Sequence, residues 1–287
     1  MTGTFKARSG EAIAYDLYLP RGSASGPAVL MCQGLSGVKS LVLPEIGRRF
    51  ADAGFIALAF DYRGYGESEG AKGWVDPFSR LDDAHMALNF LAAHPQVAGL
   101  PFVYGLSLGG GIAYALAAER RDVGGVMVCS GFASGERLMR GLRRADEFVA
   151  FKERLRQNRG TTDAMVALGD LFPFSASFKS AYDALPTKSS SSIPPDTSLF
   201  HLSSGDRLLA FDYLSRLRQI APAPLLIQHG SDDNVIPVED AIDCYRSCGE
   251  PKRMLIHEGY DHVGLDSGPG LDLQVGYAIQ FLRDTTG

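Results

Sequence analysis

Pro101-Phe102-Val103-Tyr104-Gly105-Leu106-Ser107-Leu108-Gly109 runs directly into Gly110-Gly111-Ile112-Ala113-Tyr114-Ala115-Leu116-Ala117-Ala118, and this stretch decides how the chain is read. A short apolar strand meets a small-residue helix across the pentapeptide Gly-Leu-Ser-Leu-Gly. A serine on such a strand-to-helix turn takes a strained backbone conformation and projects its hydroxyl outwards. Side chains in place of the flanking glycines would collide with the neighbouring strand and helix. Ser107 is therefore a candidate nucleophile. The pentapeptide alone also occurs in ordinary glycine–serine loops, so its weight comes from the strand and helix around it.

Working outward, strands and helices alternate. Residues 11–19 are rich in strand formers, and residues 27–32 form an apolar run suited to a strand covered on both faces. Helical spacing over 43–53 stops at Gly54, and residues 55–60 form another buried strand. An amphipathic helix is predicted over 80–93, a strand over 123–129, and strands again over 224–227 and 253–256. Helices fall near 238–247 and 271–283. This alternation predicts an α/β fold with a mostly parallel sheet and helices on both faces.

One interval breaks the rhythm. Between about 130 and 220 no strand is convincing, while helical stretches run near 135–158 and 162–171. The segment from Pro186 to Pro195 is a loop by composition. We read an inserted helical cap at 131–220, flanked by core segments 1–130 and 221–287. Phe172, Phe174, Phe178, Tyr182, Phe200, Phe211 and Tyr213 are too much aromatic surface to leave in water, so they should pack within the cap or over a pocket.

Composition bounds the function. The 287 residues are 45% hydrophobic and 21% charged, as in a soluble globular protein. A net charge of -5 argues against nucleic-acid or anionic-membrane partners. No apolar stretch approaches the roughly 18 residues of a membrane span. The start, Met1 to Lys6, lacks the apolar segment of a signal peptide, which points to a cytoplasmic protein. The four cysteines, Cys32, Cys129, Cys244 and Cys248, are expected as reduced thiols. No metal-ligand cluster occurs, and neither a phosphate loop nor a dinucleotide fingerprint follows the first strands. Neither a metal nor a cofactor is expected.

A serine nucleophile needs a base, an acid that orients it, and donors for the developing oxyanion. In strand-elbow hydrolases the acid and then the base follow the serine, each just past a core strand. Here residues 224–227 lead into Gly230-Ser231-Asp232-Asp233, and residues 253–256 lead into Tyr260-Asp261-His262. Loops beyond the carboxyl ends of parallel strands converge on one sheet edge.

These features resemble the α/β-hydrolase superfamily, in its serine-nucleophile branch. The likeness rests on Gln33-Gly34-Leu35, on Asp61-Tyr62-Arg63-Gly64-Tyr65-Gly66-Glu67-Ser68, on the serine elbow, and on the late Asp and His loops. It implies an eight-stranded α/β-hydrolase sheet with Ser107, Asp233 and His262 as a triad. Asp232 is the alternative acid, and His257 the second choice of base. The oxyanion donors map to the backbone N–H groups of Leu35 and Leu108. Asp61 and Arg63 are read as a structural ion pair or hydrogen-bond anchor rather than as catalysts.

Residues 33–39 and 61–70 look like the dienelactone-hydrolase-like and polyketide-transferase subgroup. That likeness implies a small-molecule ester, lactone or acyl-carrier-bound thioester, of the kind met in secondary metabolism, cleaved through an acyl-serine. An acyltransferase could use the same residues; a small peptidase is the weaker alternative. Trp74 either lines the pocket or fills space. Arg137, Arg140, Arg143, Arg144, Arg154 and Arg156 are read as a solvated helix face, with an acidic-substrate site as the alternative. Helical insertions of this kind often mediate homodimers, and that question stays open.

Overall fold

The sheet is built from short apolar strands. In the computed structural model, which describes residues 1–22, 25–185 and 199–287, β3 (Ala28–Cys32), β4 (Ile56–Phe60), β5 (Phe102–Leu106) and β6 (Gly125–Cys129) are buried at every residue. Only a strand covered on both faces can be apolar throughout, so helices must lie above and below it. β1 (Thr2–Lys6) and β2 (Ala12–Tyr18) precede them, and β9 (Leu225–Gly230) and β10 (Lys252–His257) complete the sheet. The order is β1-β2-β4-β3-β5-β6-β9-β10, antiparallel at the β1–β2 and β2–β4 seams and parallel elsewhere.

Two helix pairs cover the sheet. α1 (Leu43–Asp52) and the terminal α10 (Gly268–Thr286) touch each other, while α2 (Pro77–Ala92) packs on α3 (Leu108–Glu119). α9 (Val238–Ser247) joins β9 to β10. All four cysteines are buried and unpaired. Among the described residues, no helix is long and apolar enough to cross a membrane.

β1 is absent from the sequence-based reading. Only Phe5 of its five residues is buried, so the strand carries almost no apolar pattern. It is held by its register with β2, from Thr2 against Asp16 to Lys6 against Ala12.

Between β6 and β9 the chain passes through α4 (Gly135–Gly141), α5 (Ala145–Asn158), α6 (Leu168–Leu171), α7 (Ala176–Asp183), α8 (Ser204–Ala210) and a 3-10 helix (Leu214–Ile220). It is not purely helical. β7 (Met165–Ala167) and β8 (Leu199–His201) form an antiparallel pair where no strand was expected. Three residues per strand are too few for an alternating pattern to register. The helix expected over 162–171 shrinks to α6 for the same reason. The loop expected from Pro186 to Pro195 lies outside the described residues.

Asp61 and Arg63 do not pair with each other. Asp61 accepts from the backbone N–H of Lys39 at 2.6 Å and of Glu67 at 2.9 Å, and from Lys39 Nζ at 3.0 Å. Arg63 Nε instead donates to the fully buried Asp83 at 2.7 Å. The anchor is real, but it is two separate ion pairs. Each ties a loop to a different neighbour.

Candidate active site

The elbow geometry follows from its glycines. Ser107 has φ 52° and ψ -119°, a left-handed conformation that non-glycine residues rarely adopt. A Cβ on Gly105 would sit 2.3 Å from the Gly109 carbonyl oxygen, and one on Gly109 would sit 2.1 Å from the Cys32 carbonyl oxygen. The turn closes only because both lack side chains. The Ser107 N–H donates to Cys129 O at 3.0 Å, while its carbonyl accepts from Gly110 N at 2.9 Å.

From the ends of β9 and β10 the two partners reach this serine. His262 Nε2 lies 3.0 Å from Ser107 Oγ, and His262 Nδ1 lies 2.7 Å from Asp233 Oδ2. Asp233 Oδ1 accepts from the backbone N–H groups of Val235 (2.9 Å) and Ile236 (2.8 Å). With the carboxylate unable to donate, the network assigns the imidazole proton to Nδ1 and leaves Nε2 to accept from the serine hydroxyl. Burial favours protonated Asp233, but the two neighbouring imidazoles outweigh it and hold the carboxyl far below its ordinary range. Burial likewise disfavours charge on His262, yet Asp233, with Asp266 and Asp261, raises its pKa above the ordinary value.

His229, fully buried on β9, makes a specific contact with the acid. Its Nε2 is 2.8 Å from Ile236 O and 3.2 Å from Asp233 Oδ2, the same carboxylate oxygen that His262 Nδ1 meets. No spacing signal in the sequence marks that contact. Asp232 is exposed and accepts from Ser231 Oγ at 2.7 Å. His257 Nε2 bonds Gln228 Oε1 at 3.0 Å. Neither of these two alternatives joins the series.

The loop after β3 lies against the serine. A Cβ on Gly34 would meet Ser107 Cβ and Leu106 O at 3.3 Å each, so glycine lets the two backbones touch. Leu108 opens α3, where unpaired N–H groups and the helix dipole favour negative charge. The N–H groups of Leu35 and Leu108 donate to no partner among the described residues.

Arg80 holds this loop from behind. Its Nη1 donates to Gly34 O at 2.7 Å and its Nη2 to Leu35 O at 2.9 Å. Its guanidinium lies over the rings of Tyr62 and Tyr65, 4.9 and 4.7 Å from their centres. In a trans peptide C=O and N–H point in opposite directions, so holding Gly34 O turns the Leu35 N–H away from Arg80. Arg80 is 1% exposed and pairs with no carboxylate among the described residues. The sequence shows it only as one charge on an amphipathic helix.

A cavity of about 520 Å³ opens over Ser107 and His262. Its walls include Leu35, Val42, Phe172, Phe174, Phe178 and Phe200. Phe178 also touches the His262 ring at 5.9 Å. Trp74 is not among the lining residues: it stacks on His201 at 4.1 Å and 17°, clamping its loop to β8. The arginines of the inserted segment are likewise turned elsewhere. Arg137 pairs with Asp240 and Asp243, Arg140 with Glu136, Arg144 with Asp146, Arg154 with Asp170 and Arg156 with Glu153. Arg143 donates to Leu171 O at 2.7 Å.

Residues 25–265 match the serine aminopeptidase S33 family of hydrolases. The chain belongs to that family. With it comes membership of the α/β-hydrolase superfamily, as the sheet order and elbow require. Thiohydrolase aneE of Aspergillus aculeatus is 28% identical over 93% of this chain and 88% of its own length. Polyketide transferase grgF of Penicillium sp. is 24% identical over 84% and 82%. The solved α/β hydrolase GrgF from Penicillium sp. sh18 superposes with a TM-score of 0.82 at 20% identity, covering 99% of this chain and 98% of that one. Two Escherichia coli relatives are 31% and 30% identical over 142 residues, and this chain spans about half their length (50% each).

Proposed function

We propose that this chain is a serine hydrolase that cleaves a small-molecule ester, lactone or thioester through an acyl-Ser107 intermediate. The observation that carries this reading is the hydrogen-bonded series Ser107–His262–Asp233 at the floor of a largely apolar cavity. His262 Nε2 takes the serine proton as Oγ attacks the substrate carbonyl. The oxyanion is received by the N–H groups of Leu35 and Leu108. Collapse breaks the bond to the leaving group, which takes the proton back from His262 and departs as alcohol or thiol. Water, deprotonated by His262, then attacks the acyl-enzyme, and the acid leaves with Ser107 restored.

Acyl transfer is the second reading, favoured by the relative named a polyketide transferase. It uses the same steps with an alcohol or amine in place of water. The peptidase reading follows only from the family's description. The four reduced thiols fit a reducing compartment such as the cytoplasm.

A substrate panel tests the proposal: p-nitrophenyl esters of graded chain length, lactones, acyl thioesters and aminoacyl anilides, each with and without added alcohol. Ester or thioester turnover yielding free acid is expected. Partition of the acyl group to alcohol over water would move the assignment to transferase, and anilide turnover exceeding ester turnover would move it to peptidase.

A further inference from the structure

The cavity wall holds a second carboxylate. Asp266 closes the 3-10 turn Gly264–Asp266, four residues beyond His262, and lines the same cavity as Ser107. One of its oxygens is committed. Gln274, fully buried on α10, donates from Nε2 to Leu265 O at 2.7 Å and to Asp266 Oδ1 at 3.1 Å. The Gln274 amide is itself fixed, because its Oε1 accepts the Tyr104 hydroxyl. Gln274 cannot swing to serve the other oxygen without losing these bonds.

Asp266 Oδ2 has no hydrogen-bond partner among the described residues, and Asp266 is only partly covered. Burial pushes its carboxyl up to about 6, against the favourable charge of His262. The cavity it lines is walled mainly by leucine, phenylalanine and valine. The other charged side chains lining the cavity, Lys179 and Asp183, belong to α7, and no ion pair ties either to Asp266 among the described residues. The free oxygen is open to the cavity, and a ligand that fills the cavity without bringing it a donor takes away its solvation at a cost. The carboxylate repels a second anion and accepts from any hydroxyl or amine that a ligand brings.

We propose that Asp266 is a substrate-recognition group whose free oxygen accepts a hydrogen bond from a hydroxyl on the acyl chain, so that hydroxyacyl esters and thioesters are preferred over plain hydrocarbon acyls. This rests on the hydrolase reading above and adds the chemical class of the acyl group. Hydrogen bonds to charged groups are worth enough to give about a tenfold to hundredfold preference. A plain acyl chain would bury the carboxylate without a partner, which works in the same direction.

Matched thioester pairs test this: acyl chains of equal length with and without a hydroxyl, placed at C3 or at the chain end, compared by kcat/KM. The wild type is expected to prefer the hydroxylated member of one pair by about tenfold or more. Asp266→Leu should bring that ratio to near one. Asp266→Asn keeps the oxygen that Gln274 holds and puts an NH2 group where the free oxygen stood. Its ratio should fall too, which keeps the test valid if the leucine variant does not fold. Absence of any preference in the wild type, or a preference that survives both substitutions, overturns the assignment. Equal losses on both members would make Asp266 a charge acting through His262 and would also overturn it. Failure of the hydrolase reading looks different: no thioester is turned over at all, and Ser107 is not acylated.

Discussion

The sheet edge and the segment inserted above it are built on opposite principles. At the edge the atoms of the proposed serine–histidine–aspartate series and the loop beside them are over-determined. Ser107 is held by two colliding glycine positions, Asp233 by two backbone N–H groups and two imidazoles, and Leu35 by a buried arginine. The insertion contributes rings instead. Phe172, Phe174, Phe178 and Tyr182 stack in sequence at 4.3–5.7 Å, and only Phe178 reaches a functional side chain, the ring of His262. Hydrogen-bonded networks fix position to fractions of an ångström, whereas stacked rings fix shape and leave room for exchange. On the proposed function, the difference puts the reacting groups at the edge and leaves the shape of the acyl pocket to the insertion, with Asp266 as the one edge residue proposed to select.

Substitutions among the reacting groups and their supports should therefore cost rate, and substitutions in the insertion should alter choice. The largest effect is expected for Asp233→Asn, which loses the correct imidazole tautomer and should lower kcat by about 10⁴-fold. Asp232→Asn, one residue away on an exposed side chain, should stay near wild type. Equal losses in steady-state assays of the two would break the contrast.

Next comes Arg80→Met. It frees Gly34 O and Leu35 O, and with them the orientation of the Leu35 N–H, so kcat should fall about tenfold to a hundredfold while KM changes little. A rise in KM at constant kcat would make Arg80 a packing residue only. Above the edge, Phe174→Ala should lower kcat/KM for long acyl esters by about tenfold and for acetyl esters by less. A uniform loss across chain lengths would erase the division of labour.

The smallest expected effect is in pH. His262 must be neutral to accept the serine proton, and its pKa is raised above the ordinary 6.5. Activity should accordingly rise with pH through a midpoint above 6.5 and then level off. Asp233→Asn removes the main charge that raises it, so the residual activity should show a lower midpoint.

The same contrast explains what could be read from the sequence. The continuous apolar strands, the elbow and the order of serine, acid and base are local patterns, and each appears where the sequence puts it. The family resemblance implies Asp233 over Asp232, and of the two it is Asp233 that lies within hydrogen-bond distance of His262. What escaped was held by contacts between distant segments. Lys39 rather than Arg63 meets Asp61 across 22 positions, and Gln274 reaches Tyr104 across 170. Arg80 and Asp266 looked like ordinary charges because only their neighbours in space distinguish them. Trp74 was drawn to the pocket by its chemistry and is held off it by His201. The short β7–β8 pair carries too few residues to leave any periodic mark.

The claim on which all of this rests is that Ser107 attacks acyl carbonyls with His262 as its base. A fluorophosphonate probe, followed by peptide mapping of the intact chain, tests it most directly. The wild type should gain one adduct located on Ser107, Ser107→Ala should gain none, and His262→Ala should label far more slowly. An unlabelled wild type, or labelling that persists in Ser107→Ala, would contradict the account.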